Sequence, residues 1–154
     1  METLFKETNI PKKTVKEIIS ILQKHDYKNI SDISHTKNGF QTPNIVSIFN
    51  QDMLKKILPF DNFYKKIFWI HYIRYYKNGY QTEHNHEKTE KYSFILYLND
   101  SDGDTIFKKP VNKRVTPELG KLIFFDSNVL HRAEMSNKDK QILVGAVDEK
   151  ARVS

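Results

Sequence analysis

The spacing of apolar residues changes character along the chain. Between Pro11 and about His25, Val15, Ile18, Ile19 and Leu22 recur at i, i+3, i+4 and i+7. This spacing predicts an amphipathic helix, with Pro11 near its first turn and Asn9 or Thr8 as cap. A second, short helix is expected over Gln51–Leu58, opened by Asn50 and stopped by Pro59. Beyond Pro59 the runs become β-branched and aromatic. Ile67–Tyr76 reads as a strand followed by a Lys77-Asn78-Gly79 turn, and Tyr92–Leu98 as a second strand closed by Asn99–Gly103. Shorter strands are expected at Thr105–Lys108, Arg114–Thr116, Lys121–Phe125 and Lys140–Val147. Short strands separated by Gly, Asn and Asp, behind a helical segment, predict a mainly β protein of the α+β kind, built as a barrel or jelly roll. The expected layout is a single domain over 1–154, with a helical N-terminal support over 1–62 and the barrel core over 63–150. The hexapeptide Lys37–Thr42 is echoed by Lys77–Thr82, but the likeness stops before the histidines, so chance or a reused turn is expected, not a repeat architecture.

Composition narrows the chemistry. The 154 residues are long enough to bury a substantial core, and ten Phe and eight Tyr predict that the core is aromatic. No apolar run approaches the roughly 20 residues of a membrane helix, and the N-terminal residues lack the pattern of a secretory signal. The chain has no cysteine, which excludes disulfides, zinc–thiolate sites and thiol nucleophiles and is compatible with a reducing cytoplasm. The net charge of +6 comes from dispersed lysines, best explained as a solvated surface. Nucleic acid is a conceivable partner, but no aromatic–basic recognition motif supports it.

Six histidines remain as candidate chemistry. His25 falls at the end of the first helix and His35 in a polar loop. Alternation puts His71 on the face of Trp69, Ile73 and Tyr75, where a satisfied core histidine is the simpler explanation. His84 and His86 stand one residue apart, and on a strand both would point to one face, close enough to share a metal ion. His131 follows a turn glycine, an apolar strand and a short polar loop (Gly120–Arg132), as a third ligand from a distant strand would. Imidazole suits several metals, so the histidines alone do not choose one. Lys140, at the start of the last strand, could hold an anionic group as a point charge.

In this order these segments resemble the 2-oxoglutarate/Fe(II)-dependent oxygenases, in particular the prolyl-hydroxylase-like group. The matching stretches are Tyr76–Gly79, His84-Asn85-His86, Ser93–Asn99, Gly103–Phe107, Gly120–Arg132 and Lys140, together spanning roughly residues 67 to 147. The resemblance implies a double-stranded β-helix, a jelly-roll or cupin-like barrel on which the N-terminal helices pack. It implies Fe(II) held by His84, His86 and His131, and 2-oxoglutarate as co-substrate held by Lys140 and Tyr97, with Tyr76 as an upstream pocket tyrosine. The implied activity is hydroxylation of a C–H bond with O2, with a prolyl or other protein or peptide side chain favoured as primary substrate. Two positions depart from the family pattern. His86 stands where the family has Asp or Glu, which leaves the ligand set neutral, with Glu87 or Glu90 as nearby carboxylates. Lys140 replaces the usual Arg, keeping the charge and losing the bidentate fork.

The cupins share this barrel. His84-x-His86-x-x-x-Glu90, followed by Gly120 and His131, is close to their three-His, one-Glu pattern. A cupin-type metalloprotein without 2-oxoglutarate, enzymatic or merely binding, is therefore the alternative, although Asp126 and Asn128 depart from its motif and Lys140 and Tyr97 would have no role.

Overall fold

The computed structural model describes residues 3–25 and 36–150; the loop expected around His35 lies outside them. Among the described residues there are two α-helices, α1 (Lys12–Gln23) and α2 (Gln51–Ile57), and nine strands. The strands are β1 (Phe5–Asn9), β2 (Thr36–Gln41), β3 (Ile67–His84), β4 (Glu90–Tyr97), β5 (Thr105–Phe107), β6 (Lys113–Val115), β7 (Lys121–Asp126), β8 (His131–Ala133) and β9 (Lys140–Glu149). All pairings are antiparallel, in the order β1-β7-β4-β9-β3-β8-β5-β6, with β2 on the outer edge of β3.

The long β3 explains how one ladder becomes two facing sheets. Its first half pairs with β9 (Ile67↔Val147 to Tyr75↔Lys140), and its second half pairs with β8 (Gln81↔Ala133, His84↔His131). One sheet is thus β1-β7-β4-β9 and the first half of β3, and the other is the second half of β3 with β8, β5 and β6. This is a double-stranded β-helix, mainly β as expected. The switch between sheets falls at Lys77-Asn78-Gly79, which does not end the strand as the sequence suggests. Asn78 instead takes a left-handed conformation (φ 69°) inside β3, as a bulge residue does, and bends the strand. Asn38 does the same on β2 (φ 52°), and its side-chain amide donates to the Lys77 carbonyl at 2.5 Å. The echoed Lys-Asn-Gly is therefore a local device used twice, on two neighbouring strands.

Alternation along the strands separates two cores. Phe94, Leu96, Leu122, Phe124, Leu143 and Val147 face outward onto α1 and α2, meeting Val15, Ile18, Leu22, Met53, Leu54 and Ile57. Ile73, Tyr75, Ile95, Tyr97, Phe107, Ile123, Phe125 and Ile142 fill the space between the sheets. α2 is capped by Asn50, whose side chain accepts from the Met53 N–H at 2.8 Å. α1 begins after Pro11 with no side-chain cap, because Asn9, expected to cap it, is the last residue of β1. Residues 1–62 are accordingly not helical throughout, since β1 and β2 add polar edge strands to the sheets.

Candidate metal centre

Three elements bring the histidines together. His84 is the last residue of β3 and sits directly across from His131, the first residue of β8, with ring centroids 4.3 Å apart. His86 lies past the end of the strand, in a turn, and so does not reach the site by strand alternation. Its backbone N–H donates to the Ser127 carbonyl at 2.9 Å, and this bond ties the turn to the loop after β7. The ligand nitrogens of His84, His86 and His131 all lie within 4.8 Å of one another. Bonds from a metal to imidazole nitrogen are about 2.1 Å, so one ion can gather all three.

Backbone carbonyls orient two of the rings. His84 Nδ1 lies 2.7 Å from the Thr82 carbonyl and His131 Nδ1 lies 3.1 Å from that of Val129. A proton on Nδ1 serves those contacts and leaves Nε2 as the metal-facing donor. Phe107 and Phe125 pack against the His131 ring at 5.8 and 5.2 Å. Glu90, a candidate carboxylate, is fully buried beside His86, with Oε1 3.9 Å from Nδ1, but does not join the cluster of three. Burial pushes its pKa up to about 7, against the lowering effect of hydrogen bonds from Thr89 and Ser93 and the attraction of Lys150. Glu87 is exposed.

The histidines open onto a cavity of about 300 Å³ between the sheets, lined also by Trp69, His71, Gln41, Gln81, Ile95 and Val144. His71 is held by the Thr42 carbonyl at 2.8 Å from Nδ1 and packs at a tilt against Trp69, whose ring also edges His86 at 5.8 Å. Neither glutamine was recognisable in the sequence as a site residue. Gln41 arrives because β2 pairs with β3, opposite Ile73.

Deeper in the barrel, one same-face residue beyond Ile73 and Ile95, lie Tyr75 and Tyr97, both excluded from solvent. Lys140 sits across from Tyr75 on β9, 1% exposed, with its ammonium 4.5 Å from the Tyr75 ring centre. It donates to the Gly103 carbonyl at 2.8 Å, and no carboxylate among the described residues lies within ion-pair range of it. Burial lowers its pKa to about 8, although Asp104 and Asp102 pull it upward from a distance. The Tyr97 hydroxyl shares a 2.5 Å hydrogen bond with Thr105 Oγ1. The Tyr75 hydroxyl is buried beside Thr36, which favours its ionised form, but makes no hydrogen bond of normal geometry. Burial raises the pKa of both phenols, so both are neutral donors. The expected pocket tyrosine, Tyr76, does not point into the barrel. Tyr76 faces outward, 45% exposed against Phe40 and Arg74, because the pleat turns adjacent residues to opposite faces.

No family model and no curated protein matches the sequence. Solved structures do. A prolyl-4-hydroxylase from Pseudomonas putida superposes with a TM-score of 0.68 at 15% identity, covering 96% of this chain and 93% of that one. A prolyl hydroxylase from Trichoplax adhaerens, in complex with a hypoxia inducible factor oxygen degradation domain peptide fragment, gives 0.68 at 10% identity, covering 94% and 83%. HygX from Streptomyces hygroscopicus, with nickel and 2-oxoglutarate bound, gives 0.69 at 10% identity, covering 95% and 83%. At these identities the likeness is one of architecture: the chain has the double-stranded β-helix fold shared by these proteins.

Proposed function

We propose that the protein is a 2-oxoglutarate- and Fe(II)-dependent dioxygenase that hydroxylates a C–H bond, acting as one domain. The observation that carries this reading is the pairing of two sites in one barrel. Three imidazole donors cluster at the mouth, and a buried ammonium and a buried phenol lie one tier deeper. A buried cation without a nearby carboxylate is costly unless an anion joins it. A short dicarboxylate that reaches from the metal to Lys140 answers both needs.

His84, His86 and His131 would hold the iron. Lys140 would pair with the distal carboxylate of 2-oxoglutarate, with the Tyr75 hydroxyl donating to the same group and Tyr97 beside it. Bound together, iron and 2-oxoglutarate supply dioxygen activation coupled to oxidative decarboxylation, giving succinate, CO2 and a hydroxylated substrate. The chain's own part is to orient the co-substrate, to keep water out with Ile73, Ile95 and Phe125, and to seat the primary substrate against Trp69, His71, Gln41 and Gln81. A prolyl or other peptide side chain is the proposed substrate. In its support, two structures with this fold are prolyl hydroxylases, one of them bound to a peptide fragment. A cytoplasmic location belongs to the same proposal; among the described residues no helix is long and apolar enough to cross a membrane. A cupin-type site is less well supported, since Glu90 does not join the histidine cluster.

Anaerobic titration with Fe(II) and then 2-oxoglutarate tests the reading. The visible charge-transfer band of the chelate is expected in the wild type, absent in His131→Ala, and weakened at least tenfold in apparent affinity in Lys140→Ala. A wild-type protein that binds Fe(II) but never develops the band rules out the co-substrate.

A further inference from the structure

The three imidazoles carry no negative charge, yet a carboxyl group is buried beside one of them. Glu90 opens β4 and is wholly excluded from solvent. Its Oε1 accepts from the Thr89 hydroxyl at 2.8 Å and lies 3.9 Å from His86 Nδ1, while Oε2 accepts from the Ser93 hydroxyl at 2.9 Å. The two hydroxyls fix where the carboxyl group sits, and Lys150 attracts it from outside. The turn makes this arrangement local, because the His86 carbonyl accepts from the N–H groups of Thr89 and Glu90 at 3.2 and 3.3 Å. Glu90 is thereby folded back beneath the histidine four residues before it.

The other two rings are held differently. His84 and His131 rest their Nδ1 atoms on carbonyl oxygens, whereas the Glu90 carboxyl group stands beside His86 Nδ1. Behind a ligating imidazole, a carboxylate orients the ring, selects its tautomer and makes it a stronger donor. We propose that Glu90 is a positioning residue of the metal centre, acting through His86 to aim its ring. This rests on the metal-binding reading above and adds the residue that holds the histidine standing in a carboxylate's place.

The test uses the metal-free full chain as wild type, Glu90→Gln, Glu90→Asp, His86→Ala and His131→Ala, with Co(II) as probe and visible absorption as readout. Glu90→Gln is expected to weaken Co(II) binding ten- to hundredfold while leaving the ligand-field bands at saturation in place, because the donor atoms are unchanged. Glu90→Asp is expected to recover part of the affinity. Unchanged affinity in Glu90→Gln overturns the proposal. So does a band shift like that of His86→Ala, which would make Glu90 a ligand. A metal-free readout stands beside these: nitrogen NMR of His86 should show its proton on Nδ1 in the wild type and lose that preference in Glu90→Gln. A wild type that takes up no Co(II) overturns the metal reading and this proposal with it. A wild type that binds Co(II) while His86 is indifferent to Glu90 overturns this proposal alone.

Discussion

Tyr75 and Tyr76 are chemically the same residue one position apart, and the pleat of β3 gives them opposite fates. Tyr75 buries a hydroxyl with no hydrogen bond of normal geometry, a state that costs roughly 1–3 kcal/mol. Tyr75→Phe should therefore stabilise the ligand-free protein by about 1 kcal/mol in urea unfolding while weakening 2-oxoglutarate binding several-fold; Tyr76→Phe should change neither. A Tyr75→Phe variant that binds 2-oxoglutarate as the wild type does would remove the phenol from the anion site. Lys140 makes a second prediction through its depressed pKa. In the folded, ligand-free protein it loses its proton near pH 8, but in the unfolded chain only near 10.5. Below pH 8 the fold carries the cost of a buried charge, and stability should rise by about 3 kcal/mol between pH 8 and 10.5. Affinity for 2-oxoglutarate should fall over the same range, because the anion needs the protonated amine. Both trends should be absent in Lys140→Met, which can be followed by urea midpoints and calorimetric titration from pH 6.5 to 10.5. At this scale the sequence exposed the histidines and Lys140 because the order of their segments is distinctive. The face shared by His71, Ile73 and Tyr75 was also legible from alternation, and the family resemblance pointed one residue past it. Gln41 was not legible, because only the pairing of β2 with β3 brings it in.

β9, like β3, β4 and β7, contributes to both cores. It runs between β3 and β4, sending Lys140, Ile142 and Val144 into the barrel and Leu143 and Val147 toward the helices. Gly145 sits where the Phe94 ring crosses the strand. A Cβ there would meet Phe94 Cε2 at 2.0 Å and Cζ at 2.2 Å. Phe94 is fully buried in the core that the helices cover, so its ring can yield only by disturbing that packing. Gly145→Ala should cost about 1–3 kcal/mol by overpacking, read from urea midpoints, with the loss largely recovered by adding Phe94→Leu. An unchanged midpoint would mean that β9 and β4 are less closely seated than described. Elements of this kind were legible where their period was strong: α1, α2, β4, β7 and β9 all lie within a few residues of their expected bounds. β1, β2 and β8 were not expected. FKETN and TKNGFQ are mostly polar edge strands, and β8 is only three residues long. None has an apolar alternation to read; each is held by the ladder it joins. The bulge at Asn78 was mistaken for a turn because Lys-Asn-Gly serves either purpose, and only the partners on both sides, β9 before it and β8 after, decide.

At the scale of the whole molecule, the three histidines do not belong to one sheet. His84 and His131 face each other across β3 and β8. His86 is tied by its backbone to Ser127, just past β7, and Glu90 beneath it opens β4. An ion held by all three would fasten the two sheets together at the open end of the barrel, where no strand crosses between them. Binding to the folded state alone should stabilise it by about 2.7 kcal/mol when the free metal is a hundred times its dissociation constant. The location of that gain is the sharper test. With Mn(II) present, hydrogen exchange should slow not only at His84 and in His131–Ala133 but also in Glu90–Tyr97 and Lys121–Asp126, on the opposite sheet. In His86→Ala the two remaining histidines can still bind an ion weakly, so at a metal concentration that saturates the variant, protection should persist in β8 and disappear from β4 and β7. Protection confined to β8 and the end of β3 in the wild type would mean that the ion decorates one sheet and that His86 is not a ligand. Protection across both sheets, lost from one of them with a single imidazole, would mean that the metal closes the barrel as well as serving its chemistry.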